Sequence, residues 1–364
     1  MHRPALFLAV LAALAAVPRP ASAQPSSASV DSLVRAYAAE HDFNGTVLVQ
    51  RGGQPLFYQS FGVADRAWGV PLTNDTRYRV GSITKLFASV LVMQLHQEGR
   101  LDVDAPFGRY LPDYPGQGAD RVTLHQLMNH TSGLAQFDRI ASFQQALDEG
   151  MPHYQLPRTS DALLGFCCSG ALAAEPGTEF VYNNADYIVL GKVIERVTGH
   201  TFEEALRERI LAPLGLGNTG MMHYGVILER LAPTYFRVEE NGPLVNDLPV
   251  FWENWYAAGG MYSTAADLAV FADALFGGDA LLGAPARARL LTPALDEYGY
   301  GLWSYAFERG GRRFRVAKRP GSIMGANAVL YRLLDLDATV VLLANTNLTD
   351  LDVFAQRIGN LLVR

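Results

Sequence analysis

Apolar residues fall into alternating helical and extended stretches along this chain, and the switches between them mark its elements. Residues 29–40 read as a helix. Residues 46–50 and 56–61 read as two strands, joined across Arg51-Gly52-Gly53-Gln54-Pro55, a hairpin signal. Ile83, Leu86, Phe87, Val90, Leu91 and Leu95 then recur at spacings of three and four. That pattern predicts a helix from about Ser82 to Glu98, with Gly99 suited to the position just past its end. Tyr187, Leu190, Gly191, Ile194 and Val197 repeat in the same way until Gly199 stops them. Residues 200–216 and 264–276 also read as helical. Residues 299–307, 312–317, 326–333 and 338–344 read as strands, the last two joined as a hairpin across 334–337. Residues 350–362 read as a final helix, and residues 100–180 mix short helical pieces with Pro- and Gly-rich turns.

Strands therefore sit at both ends of the chain with a helical insert between them. This order predicts an α+β fold: one antiparallel sheet built from both termini, flanked by the terminal helices, beside a mostly helical subdomain. The expected division is about 24–80 and 290–364 for the sheet part and about 81–289 for the helical part. An active site would lie in the cleft between them.

Composition narrows the class. Of 364 residues, 49% are apolar and 18% charged, enough for a large core and unlike a disordered chain. Residues 1–23 read as an export signal. Arg3 opens it, an apolar run covers 5–17, and Ala21-Ser22-Ala23 resembles a cleavage site. The mature chain would start near Gln24 and be periplasmic or secreted. No later segment is long and apolar enough to span a bilayer, so no stable membrane insertion is expected after cleavage. Losing Arg3 and Arg19 takes the formal charge from −6 to −8, which argues against nucleic acid as a partner. The two cysteines, Cys167 and Cys168, are adjacent and closer than disulfide geometry prefers. They are expected to be two small buried side chains rather than a disulfide.

Candidate chemistry begins at Gly81-Ser82-Ile83-Thr84-Lys85. Ser82 and Lys85 share one helix face. A serine hydroxyl needs a base to become a nucleophile, and a buried lysine can supply one. Backbone N–H groups at a helix start can hold an oxyanion. The same pattern also fits a plain N-cap serine beside a solvated lysine. Tyr182-Asn183-Asn184 precedes a helix and is expected on a loop. Tyr182 beside a lysine can shuttle protons, and Asn184 can bond both the lysine and a substrate amide. In Lys318-Arg319-Pro320-Gly321-Ser322, Gly321 would let a substrate approach the backbone, and the Ser322 N–H would be a second oxyanion donor. Pro320 implies an edge strand. There is no G-x-S-x-G, no H-E-x-x-H and no Walker loop. The histidines lack metal spacing, and His125 and His130 read as structural. No metal or organic cofactor is implied.

These three motifs, in this order, resemble the serine β-lactamase and penicillin-binding-protein superfamily. The likeness is closest to its class C-like branch, which includes D-alanyl-D-alanine carboxypeptidases, D-aminopeptidases and β-lactamase-like esterases. It is carried by FNGTVLVQRGG (43–53), YRVGSITKLF (78–87), LDVDAP (101–106), TLHQLMNHTSGL (123–134), the 175–199 stretch around YNN, LAPLGLGNTGM (211–221) and AAGGMYSTAADLAVF (257–271). The resemblance implies a β-lactamase/transpeptidase-like fold and a set of roles. Ser82 is the implied acylated nucleophile, Lys85 its activating partner and Tyr182 the general base. Asn184 orients substrate, and the amides of Ser82 and Ser322 form the oxyanion hole. The third motif departs from the family's usual Lys or His, then Thr or Ser, then Gly. Arg319 keeps the charge and can pair a substrate carboxylate, but it cannot relay protons. Pro320 lacks the hydroxyl that helps hold such a carboxylate, which puts β-lactam hydrolysis in doubt.

The leading expectation is an exported serine hydrolase acting on a small ester, amide or short peptide through a Ser82 acyl-enzyme, esterase-like in preference. The alternatives are a D-amino-acid peptidase or carboxypeptidase on peptidoglycan-type peptides, then a β-lactamase. In a different class stands a non-catalytic sensor or scaffold for cell-wall fragments. The aromatic run 251–256, FWENWY, would either line an apolar acyl pocket, favouring esters, or pack the helical core.

Overall fold

Both ends of the chain supply one antiparallel sheet. The computed structural model describes residues 26–138, 142–239 and 241–364, so the 1–23 segment read as an export signal lies outside the described residues. The main sheet contains β1 (Gly45–Arg51), β2 (Gln54–Phe61), β3 (Trp303–Arg309), β4 (Arg312–Ile323), β5 (Ala326–Leu333) and β6 (Ala338–Ala344). In space they run β3-β4-β5-β6-β1-β2. The N-terminal hairpin joins the C-terminal meander where β1 pairs with β6, Val47 opposite Leu342 and Val49 opposite Val340. Six of the seven β1 residues are buried, and all seven of β6. Strands covered on both faces tolerate such unbroken apolar runs.

The helices α1 (Ser27–Glu40) and α5 (Leu351–Leu362) cover one face. Val30, Val34 and Tyr37 of α1 meet Phe354 and Ile358 of α5 there, with the Tyr37 and Phe354 rings stacked at 4.2 Å. Each such side chain, fully buried, contributes about 1.5–3 kcal/mol. The other face packs on α4 (Ala265–Phe276), which leans on α2 (Thr84–Gln97) through Phe87 and Phe271, stacked at 3.8 Å. Nearly all of α2 is buried, Lys85 included. A further helix, α3 (Asn184–Thr198), lies against α2 and ends at Gly199, φ 77°.

The sequence expectations differ from this fold at instructive points. The strand foreseen at 312–317 runs on to Ile323, so the whole third motif lies inside β4. Pro320 is accommodated because β3 pairs with β4 only as far as Lys318, which leaves 319–323 an edge on that side. The 200–216 helix breaks into Phe202–Leu206, a widened turn at Arg207–Leu211, and Ala212–Leu214 before Gly215. Cys167 and Cys168 are buried as expected, but they are bonded to each other, which corrects the expectation of free thiols. Their Cα atoms are 3.8 Å apart, the spacing one peptide sets, so the bond lies at the end of the helix Ser160–Cys167 without linking distant segments. Among the described residues, no helix is long and apolar enough to cross a membrane.

Candidate active site

Ser82 sits in a single tight turn, Gly81–Ile83, that leads into α2. Gly81 takes φ 50°, a left-handed conformation that glycine adopts without cost. The Thr84 hydroxyl bonds back to the Gly81 carbonyl at 2.7 Å and fixes the turn. One turn later Lys85 points into the protein. Its Nζ reaches Ser82 Oγ at 3.2 Å, Asn184 Oδ1 at 2.7 Å and the Ala258 carbonyl at 2.7 Å. Three acceptors are as many as an ammonium can serve. Burial pulls Lys85 below its ordinary value, Tyr182 opposes that shift and Arg319 adds to it.

Tyr182 lies on the loop before α3, as expected. Asn183 is the N-cap, its side chain accepting from the Ala185 N–H, and Asn184 is already the first helical residue rather than part of the loop. The Tyr182 ring stands under Lys85 Nζ, 4.8 Å from the ring centre. Its hydroxyl accepts from Arg319 Nη2 at 2.5 Å. Burial would push this phenol up. The charges of Arg319 and Lys85, with hydrogen bonding to Lys85 and Ser82, outweigh burial and bring it down to about 8. An ionised phenol between two cations, hydrogen-bonded to Ser82, is a base in reach of the Ser82 proton.

Arg319 enters from β4 with 1% of its surface exposed. Besides Tyr182 it donates to Tyr298 Oη and to the Ser82 carbonyl, each at 2.6 Å. The guanidinium thus binds the turn and the phenol from within, and offers substrate almost no open face. Gly321 also has an internal reason. A side chain there would meet the Val80 carbonyl at 2.1 Å and Ser82 N at 3.0 Å. The glycine lets β4 close on the turn that carries Ser82; the expected space for a substrate is filled by protein. The Ser322 amide lies across from Gly81, 3.4 Å from where a β-carbon would stand. The Ser82 and Ser322 N–H groups therefore belong to two segments in direct contact.

Several residues at this site had no role in the sequence reading. Asp138 accepts from Asn184 Nδ2 at 2.7 Å and from the Tyr154 hydroxyl. Tyr154 stacks on Trp255 at 3.6 Å. His130, read as structural, lies with its ring 4.4 Å from that of Tyr182, and its Nδ1 is 2.7 Å from Asp186. Burial holds His130 well below its ordinary value and Asp186 well above its own, each toward its neutral form. His125 bonds Tyr300 at 2.6 Å. Of the aromatic run 251–256, Trp252 and Trp255 are buried with Ile323 and Met324 behind the end of β4, and Trp252 and Glu253 also line a cavity of ≈ 430 Å³ beside Arg79 and Met222. Among the described residues no group of three or more His, Cys, Asp or Glu side chains is placed to hold a metal. The HTSGL run around His130 was a usable signal, whereas nothing in the sequence marks Asp138.

Known proteins resemble this chain in sequence and in fold. A family model described as Beta-lactamase matches residues 30–363. Penicillin-binding protein 4* of Bacillus subtilis (strain 168) is 25% identical over 343 residues, covering 87% of this chain and 71% of that protein. Esterase EstB of Burkholderia gladioli is 32% identical over 210 residues, 54% of this chain and about half (52%) of the esterase. Among solved structures, the D-stereospecific amidohydrolase from Streptomyces sp. superposes with a TM-score of 0.74 at 28% identity, covering 89% of this chain and 95% of that one.

Proposed function

The chain belongs to the beta-lactamase family, and on that footing we propose that this serine hydrolase cleaves small esters through an acyl-enzyme on Ser82. Tyr182, as tyrosinate, takes the Ser82 proton while Oγ attacks the substrate carbonyl. The carbonyl oxygen becomes an oxyanion in front of the Ser82 and Ser322 N–H groups. Tyr182 returns the proton to the leaving alcohol, then activates the water that releases the acid. Lys85 holds Ser82, steadies the tyrosinate charge and fixes the Asn184 amide, leaving an Asn184 N–H for substrate.

The inward turn of Arg319 carries the preference for esters. With its guanidinium on Tyr182, Tyr298 and the Ser82 carbonyl, and Pro320 in place of a hydroxyl, this edge has no clamp for a carboxylate. β-Lactams and peptides with a free C-terminus carry such a carboxylate, and simple esters do not. Export belongs to the same proposal and rests on the pattern of residues 1–23.

A substrate panel on purified protein tests this. We expect 4-nitrophenyl esters to be cleaved with kcat/KM roughly a hundredfold above nitrocefin and above a D-alanyl-D-alanine peptide, the loss expected when a charged group finds no partner. Equal or better rates on the carboxylate-bearing substrates would refute the preference.

A further inference from the structure

Beyond the nucleophile, on the Asn184 side, the site ends in an anion. Asp138 Oδ2 accepts from two donors, the Asn184 amide and the Tyr154 phenol. Both bonds use the carboxylate as an acceptor. No ion pair joins it to a cation among the described residues, and its Oδ1 has no hydrogen bond among them. Lys85 is one side chain further in, bonded to the opposite end of the same Asn184 amide. The half-buried carboxylate also walls a cavity of ≈ 220 Å³ shared with Gly150, Met151, Pro152 and Tyr154. That is smaller than the usual drug-sized pocket and suits one small group.

We propose that Asp138 is a specificity residue that binds a protonated amine on the acyl part of the substrate, so that the preferred substrates are aminoacyl esters with a free ammonium. This rests on the ester-hydrolase reading above and sharpens it. The chain of contacts supplies the reason. Asn184 lies beside both Lys85 and Asp138, so an acyl group held by the remaining Asn184 N–H lies next to the carboxylate. An ammonium there meets an acceptor fixed in place by Asn184 and Tyr154, the latter held by its stack on Trp255. An acylated amine offers no charge and adds bulk. Opposite, Arg319 is turned away and gives a leaving-group carboxylate nothing. The site thus selects for positive charge on the acyl side without selecting for negative charge on the leaving side.

The test compares 4-nitrobenzyl esters of alanine, N-acetylalanine and propionic acid, both enantiomers for the first two. The full-length mature protein should favour the free amine over its N-acetyl form by roughly tenfold to a hundredfold in kcat/KM, the range of one charge-assisted hydrogen bond. Asp138→Asn should reduce that ratio by about tenfold or more, whereas a merely structural role would lower all three rates together and leave the ratio in place. Should the variant fail to fold, competition on the wild type decides. Alaninamide should inhibit propionyl ester hydrolysis, and N-acetylalaninamide should not. Equal inhibition, or a wild-type ratio of one or less, overturns the inference. If the propionyl ester is still cleaved with Ser82 intact, only this inference falls. If no ester is cleaved and Ser82 cannot be labelled, the hydrolase reading falls with it.

Discussion

The Arg319 guanidinium donates to the Tyr182 hydroxyl at 2.5 Å while the same side chain holds the carbonyl of Ser82. One cation thus ties the phenol to the turn that carries Ser82. Its charge is the largest of those that bring the buried phenol down to about 8. In the proposed mechanism the ionised phenol is the active form, so kcat/KM should climb as pH rises through about 8 and fall away below it. Arg319→Gln removes that charge, so the phenol returns toward its ordinary, higher value and the inflection should move to higher pH. Tyr182→Phe should erase this limb and cost roughly 10²–10⁴-fold in rate. pH–rate profiles of the three proteins check this, and an inflection that stays put in Arg319→Gln would contradict it.

Gly321 is a packing requirement. A methyl group there would stand 2.1 Å from the Val80 carbonyl. Gly321→Ala must push β4 off the turn that carries Ser82, so stability and labelling of Ser82 should fall together. Overpacking of this kind costs about 1–3 kcal/mol. Urea unfolding, with labelling rates measured alongside, should show both losses. A variant as stable and reactive as the parent would show that the turn does not rest on β4.

Much of this architecture was legible in the chain. The helix after Ser82, the β1–β2 hairpin and α5 follow from spacing and glycine stops, because one face of each meets a single core. Ser82, Lys85, Tyr182 and Asn184 stood out as a set because their residue types can act together and their motifs resemble those of the family. What stayed hidden depends on long-range approach. Arg319 was read as able to pair a substrate carboxylate, and only the fold brings Tyr298 and the Ser82 carbonyl to it. Asp138 sits 46 residues from Asn184 in a stretch with no periodic pattern. The Cys167–Cys168 bond was dismissed on average geometry that adjacent residues do not obey.

The His130–Asp186 pair behind Tyr182 gives a prediction about protons. Both groups are fully buried, and burial drives each toward its neutral form. A protonated Asp186 donates to His130 Nδ1 and accepts from the Ser132 hydroxyl, a pattern that an amide reproduces. Asp186→Asn should therefore lose less than about 1 kcal/mol of stability, whereas Asp186→Leu leaves the buried Ser132 hydroxyl without its acceptor, at about 1–3 kcal/mol. Chemical denaturation compares them. If the asparagine variant is as damaged as the leucine one, the pair is ionised instead.

The central claim is that Ser82 is an activated nucleophile, and intact-protein mass spectrometry after exposure to a fluorophosphonate tests it most directly. Within this site the Ser82 hydroxyl contacts Lys85, so Ser82→Ala should keep the fold and serve as a clean reference. The account predicts one adduct on the parent protein, mapped to Ser82 and absent from Ser82→Ala. An unlabelled parent, or an adduct that persists in Ser82→Ala, would contradict it.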